Sequence, residues 1–233
     1  MRRVPPPGGK IVQTAPVMSL ARLGNGWLPR IERVLAEAPA SCGLSLAIPE
    51  GALPQLVTWL DLVVAWSDRV DLTAARDADT LVDLLLADAA VLACTEMTGS
   101  VIDVGSGVGA PAIPLAILRP TLTLTLVEPR ERRAAFLRTS CGTLTRPDIA
   151  LLRKRSMEVE AGVAELALSR ATLPPPRWLR EGARLAQRGV WVLLGQDEPP
   201  ALPSWHADLD LTYTWPLTGG RRRAVRYAKA DPV

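Results

Sequence analysis

Apolar residues recur at helical spacing over residues 28–38 and 53–66, and in the second segment Leu56, Trp59, Leu60, Val63 and Val64 form one stripe with Trp66 at its end. A third helix is expected over 80–92, where Asp83 and Asp88 interrupt an otherwise apolar surface. From Val101 the pattern changes. Short apolar runs at 101–104, 122–127, 149–152, 165–168 and 190–194 alternate with helical segments at 110–118, 130–144, 159–162 and 176–186. That alternation predicts an α/β fold built on a doubly wound, mostly parallel sheet. Beyond it, 209–215 and 223–228 read as two closing strands joined across Gly219-Gly220, a terminal antiparallel hairpin that brings the sheet to seven strands. The chain therefore divides into an N-terminal helical subdomain, 18–98, acting as a cap, and an α/β domain, 99–233. Residues 1–17, with Pro5-Pro6-Pro7-Gly8-Gly9, are expected to be a disordered tail, and Met18 is a second candidate start.

Composition narrows the class. With 233 residues and 48% hydrophobic content, one α/β domain with a helical extension can bury a full core. No uncharged apolar run of about 18 residues occurs, so no membrane span is expected, and the opening lacks the apolar centre of a signal peptide. Cys42, Cys94 and Cys141 are odd in number and far apart, which suits reduced thiols in a cytoplasmic protein and excludes a zinc or disulfide framework. The single histidine, His206, lies among Pro and Asp residues and reads as a surface loop position.

The candidate chemistry centres on Val101-Ile102-Asp103-Val104-Gly105-Ser106-Gly107-Val108-Gly109, a buried strand running into a glycine-rich turn. A helix with Pro111 near its start and Pro120 after its end follows, so bare amides and a helix N-terminus meet at one end of the sheet. Gly105, Gly107 and Ala110 fit the dinucleotide spacing, while Gly105, Gly107 and Gly109 fit the G-x-G-x-G of S-adenosylmethionine (SAM) methyltransferases. Asp103, an acid inside the first strand, favours SAM. Glu128, closing the next apolar run, stands where either class binds ribose hydroxyls. The closing hairpin also favours SAM, because a dinucleotide domain would continue with another crossover helix.

The residues also carry a specific resemblance. Trp66-Ser67-Asp68-Arg69-Val70-Asp71-Leu72-Thr73 with Arg76-Asp77, then Asp88, the glycine stretch with Pro111 and Pro114, Glu128, Arg133 with Phe136-Leu137, Arg155, Ser169-Arg170-Ala171 and Gly219-x-Arg221 resemble the RsmG (GidB) family of bacterial 16S ribosomal RNA guanine-N7 methyltransferases. The resemblance implies a class I SAM-dependent methyltransferase fold, Rossmann-like, with residues 99–233 as the SAM-binding domain. It implies that Asp103, Gly105, Ser106, Gly107, Gly109, Pro111, Glu128, Met157 and Glu158 hold SAM. Arg170 and Arg155, read as lying at successive strand ends, would be the catalytic pair that places the guanine or its phosphate, and Asp88, Arg133 and Arg221 would bind substrate with Arg170. No metal is implied. The partner implied is 16S rRNA of the small ribosomal subunit, bound by a monomer. The chain departs from the family pattern at Leu85 (usually His), Leu194 (usually Lys), Val108 (usually Pro) and Met157 (usually an acid).

Chemistry independent of the family agrees with this reading. Guanine N7 has an in-plane lone pair and no proton, so its methylation needs positioning and no general base. Two other readings remain open: a SAM enzyme acting on a different RNA or a small molecule, and a SAM-binding protein that occupies the ribosome without catalysis. The formal charge is only +3, yet arginines cluster at Arg130, Arg132, Arg133 and Arg138, at Arg153-Lys154-Arg155, and at Arg221-Arg222-Arg223 with Arg226, as expected for contact with phosphates. At 4% aromatics an extended base-stacking platform is not expected.

Overall fold

The computed structural model describes residues 20–230, so the tail expected over 1–17 lies outside it. Three helices, α1 (Leu28–Ala40), α2 (Ala52–Ser67) and α3 (Ala78–Ala93), precede the sheet. Then β1 (Ser100–Val104), α4 (Ala112–Leu118), β2 (Thr123–Val127), α5 (Glu131–Thr143), β3 (Ala150–Leu152), β4 (Ala164–Ser169), α6 (Pro175–Leu185), β5 (Ala186–Leu194), β6 (Trp205–Thr214) and β7 (Arg221–Lys229) follow. The strand order is β3-β2-β1-β4-β5-β7-β6, with β7 antiparallel to both neighbours and the first five strands parallel. This is the seven-stranded sheet with a terminal hairpin that the resemblance implies.

Local chemistry sets the elements. Asp77 starts α3, its carboxylate accepting the Thr80 N–H at 2.8 Å. Arg119 ends the same helix region by donating to the carbonyls of Ala93, Thr95 and Met97. Leu81, Leu85 and Leu92 of α3 share one buried cluster with Val101, Leu166 and Trp191 of the sheet, so the helical cap and one sheet face form a continuous core. Asp83, on the apolar surface of α3, is fully buried. It accepts the N–H groups of Leu217 and Thr218 and the Thr218 hydroxyl, fastening the β6–β7 turn to α3.

Two expectations are corrected. No helix covers 159–162: a single 3₁₀ turn, Ser156–Glu158, forms instead, because the Glu158 carboxylate caps the Arg155 N–H at 2.7 Å and Val159 leaves in extended conformation to bury its side chain. His206 is exposed, but it stands in β6 opposite Ala228 and not in a loop, since the outermost strand can turn polar residues to solvent. Asp88 is buried as well, for reasons that belong to the site.

Candidate active site at the carboxyl edge of the sheet

The glycine turn leaves β1 toward β2. The N–H groups of Gly105 and Ser106 both donate to the Val127 carbonyl, at 2.8 and 3.2 Å. Glu128, buried at the end of β2, accepts the Gly107 N–H at 2.9 Å on one oxygen and the Arg130 N–H at 2.8 Å on the other. Each oxygen keeps a lone pair free for a hydroxyl.

Gly107 and Gly109 both have positive φ, but for different reasons. A Cβ on Gly107 would meet nothing nearer than the Gly105 carbonyl at 3.7 Å, so its bare face is open to a ligand. A Cβ on Gly109 would lie 2.5 Å from Ile113 Cδ1 and 3.0 Å from Leu137 Cδ2, so that glycine serves packing. Gly107→Ala is therefore expected to weaken S-adenosylhomocysteine binding tenfold or more while costing about 1–2 kcal/mol of stability, the left-handed backbone penalty. Gly109→Ala should cost about 2–4 kcal/mol, because overpacking is added to that penalty. Calorimetry and thermal denaturation separate the two.

Asp103 lies beneath this turn, wholly buried, with Oδ2 lacking any partner. Burial pushes its carboxyl up to about 7, with the nearby Glu128 adding to the rise while Ser106 and Arg170 oppose it. An unpartnered buried carboxylate oxygen beneath a turn whose Gly107 presents an uncovered face suits a ligand carrying a cationic or N–H group.

Beyond β4 the chain turns through Arg170-Ala171-Thr172, with Ala171 at φ 54°. The Thr172 hydroxyl donates to the Val104 carbonyl at 3.1 Å, and a Cβ on Gly105 would collide with Thr172, so this turn lies directly on the glycine turn. Its other side faces a cavity of about 490 Å³. Asp88, 3% exposed, stands in the cavity wall, its Oδ1 accepting the Tyr213 hydroxyl at 2.7 Å and its Oδ2 lying 3.4 Å from the Arg170 guanidinium. Arg170 also donates to the Leu84 carbonyl. Burial first, and then the Asp88 charge, raise the Tyr213 phenol well above its ordinary value, so it remains a donor.

The family model described as "GidB: rRNA small subunit methyltransferase G" matches residues 52–195. The chain belongs to this family. Ribosomal RNA small subunit methyltransferase G of Chloroflexus aggregans is 38% identical over 136 residues, covering 58% of this chain and 56% of that protein. The same-named proteins of Alkalilimnicola ehrlichii (32% over 166 residues; 69% of this chain, 76% of that one) and Halorhodospira halophila (30% over 193 residues; 79% and 91%) are similar over more of their length. The region matched by the family model contains the glycine turn, Asp88, Asp103, Glu128 and Arg170, and it stops before β6 and β7.

Within this family frame, the structure gathers Asp103, Gly105, Ser106, Gly107, Gly109 and Glu128 around one turn, with Pro111 at the start of α4. Arg133 reaches the cap instead, donating to the Asp71 carbonyl at 2.7 and 3.0 Å, with Asp71 Oδ2 at 3.3 Å. Arg155, Met157 and Glu158 are exposed after β3, Met157 at 76%. β3 is separated from β4 by β2 and β1, three strand spacings or roughly 14 Å, so Arg155 and Arg170 follow one another in sequence but do not stand at adjacent strand ends. Arg221 is exposed and outside the cavity, whereas Arg222 lines it. Leu85 and Leu194, where the family pattern has polar residues, are both buried.

Sequence reading missed Tyr213, Trp215 and Arg222 as cavity residues. The signal was present, since the strand expected over 209–215 puts two aromatics at i and i+2, on one face, although β6 itself ends at Thr214. The arginine clusters also divide. Arg130, Arg132, Lys154, Arg155 and Arg221, at the carboxyl edge, have no acidic partner within 4 Å among the described residues. At the same edge Arg133 pairs with Asp71, Arg153 with Glu131 and Arg223 with Asp210 and Glu198, while at the opposite edge Arg146, Arg184 and Arg188 pair with Asp148, Glu181 and Glu165, and Arg119 is held by carbonyls.

Proposed function

We propose that the protein methylates N7 of a guanine in 16S rRNA of the small ribosomal subunit, using SAM. The observation that carries this reading is the juxtaposition, across Thr172, of a ligand-ready glycine turn and a cavity walled by arginine and aromatic side chains, on the edge where the unpaired cations collect. The family membership supplies the reaction class. Asp103 Oδ2, the Gly107 face and Glu128 would hold SAM, with Asp103 taking a cationic group and Glu128 accepting hydroxyls. SAM, when bound, supplies an electrophilic methyl group.

The chain's own residues then have three tasks. Arg170, immobilised by Asp88 and the Leu84 carbonyl, presents its remaining N–H groups to the base or its phosphate. Thr172 and the proline-bearing turn after it keep water from the space between cofactor and base. The cations at the carboxyl edge hold the RNA backbone. N7 needs no proton removed, so orientation alone can supply several kcal/mol of the barrier reduction.

Incubation of the purified protein with SAM and either 30S subunits or deproteinised 16S rRNA, followed by borohydride reduction and aniline cleavage, should give one scission in the decoding region. Methyl transfer to a position other than a guanine N7, or none, overturns the reading. Replacing Arg153, Lys154 and Arg155 by alanine should lower the slope of log affinity against log salt by about 2, since a phosphate that meets no cation keeps its counterions. Filter binding across a potassium chloride series measures it.

A further inference from the structure

The cavity has an internal asymmetry that the reaction class does not explain. Asp88 is not the group that reads a base, because it is 3% exposed and its carboxylate is already tied to Tyr213 and Arg170. Asp197, on the loop after β5, also lines the cavity; it is exposed, pairs with no cation and accepts no hydrogen bond among the described residues. An unneutralised acid among arginines is unfavourable for docking a polyanion. It is useful only if it accepts from a neutral donor that the polyanion brings with it.

The neighbouring strand, whose Arg222 lies against Gly195 at the start of that loop, offers a planar surface. The Arg222 guanidinium lies over Trp215, its carbon 3.8 Å from the ring centroid, and donates to the Arg221 carbonyl at 3.0 Å, which fixes its plane. Trp215 is nearly buried, and Gly220 packs against it, a Cβ there falling 3.3 Å from the ring. A guanidinium backed by an indole is a rigid stacking plane for an unstacked base. This answers how a chain with few aromatics can grip a base: one cation–π pair replaces a platform.

We propose that this cavity receives the target guanine, stacked on Arg222 over Trp215, with its N1–H and exocyclic amine donating to Asp197. Guanine is the purine that presents two adjacent donors on that edge, matching the two oxygens of a carboxylate; adenine presents an acceptor beside a donor and is repelled. The placement also fits the geometry of the fold. Asp197 follows β5, whereas the glycine turn follows β1, two strand positions away with β4 and Thr172 between them. N7 lies on the side of the purine remote from N1 and the amine, so a base read by Asp197 turns N7 toward the cofactor. Asp197 and Arg222 lie beyond the region matched by the family model, residues 52–195. The inference rests on the methyltransferase reading for its choice of base, and its test does not require turnover.

The test uses the full protein saturated with S-adenosylhomocysteine, which blocks adventitious purine binding at the cofactor turn, and ligand-observed NMR titration of guanosine 5′-monophosphate and adenosine 5′-monophosphate. The parent protein should bind the guanine nucleotide at least tenfold more tightly. Asp197→Asn should abolish that preference, leaving adenine affinity within twofold. Arg222→Ala should weaken both nucleotides tenfold or more, and Arg222→Lys, which keeps the charge but not the plane, should not restore them. On 30S subunits Asp197→Asn should raise KM and lower kcat without changing S-adenosylhomocysteine affinity. Equal affinity for the two nucleotides in the parent, or an unchanged preference in Asp197→Asn, overturns the proposal. Guanine selectivity lost with Asp197→Asn in a protein that methylates no rRNA would uphold the cavity and reject the proposed function.

Discussion

Arg170→Ala should lower methyl transfer to 30S subunits a hundredfold or more while S-adenosylhomocysteine affinity stays within about threefold. Two effects combine in that substitution and can be separated. Asp88 is 3% exposed, and removing Arg170 leaves its carboxylate with only the Tyr213 hydroxyl, a loss on the order of 3 kcal/mol in stability for a broken buried pair. Adding Asp88→Asn removes the orphaned charge, so the double variant should recover part of that stability in a denaturant titration. Turnover should not recover, because the group presented to the base is still missing. Recovery of activity in the double variant would reduce Arg170 to a structural partner of Asp88.

The apo protein should become more stable as the pH is lowered from about 8 to about 5. Asp103 is the main cause: its folded-state carboxyl titrates at about 7, above its ordinary range, so the folded chain holds a proton that the unfolded chain releases, and Asp83, whose carboxyl burial also raises, acts in the same direction. The penalty for ionising it is complete above pH 7 and vanishes once the pH falls below the unfolded value, a slope of about 1 kcal/mol per pH unit in between. Asp77, Asp148, Glu181 and Asp210, whose carboxyls are held below their ordinary values by hydrogen bonds and arginine partners, act oppositely, and only at the acid end. Asp103→Asn should flatten the profile between about pH 5 and 8 and raise stability at pH 8 by about 2–4 kcal/mol. It should also weaken S-adenosylhomocysteine binding, an exchange of stability for a site. Chemical denaturation at stepped pH gives the profile, and an unaltered slope in the variant would place the proton elsewhere.

The elements that sequence made legible are those whose pattern is local. Apolar periodicity located α1 to α3 and the five parallel strands to within a few residues, and the glycine turn announced itself because Gly107 needs both a left-handed backbone and an uncovered face. What remained hidden depended on strand order. Arg155 and Arg170 follow consecutive strands in the chain, and only the 3-2-1-4 order reveals the two strands lying between them. The burial of Asp83 and Asp88 was concealed for a similar reason, since their partners, Thr218 and Tyr213, lie more than a hundred residues away. The short turn at Ser156–Glu158 defeated periodicity because one capping carboxylate outweighed the weak helical preference of the residues after it.

Arg130, Arg132, Lys154, Arg155 and Arg221, without acidic partners at the carboxyl edge even though Arg153 and Arg223 there are paired, give the molecule an electrical polarity that its formal charge of +3 does not convey. In the field of a polyanion such a body experiences a torque as well as an attraction, and it rotates during approach until its catalytic edge leads. A larger share of collisions is then productive before any contact forms. Salt should accordingly slow association more than it hastens departure, and moving one unpaired arginine from the leading edge to the trailing one, at constant total charge, should slow capture of the ribosomal subunit without altering the site itself.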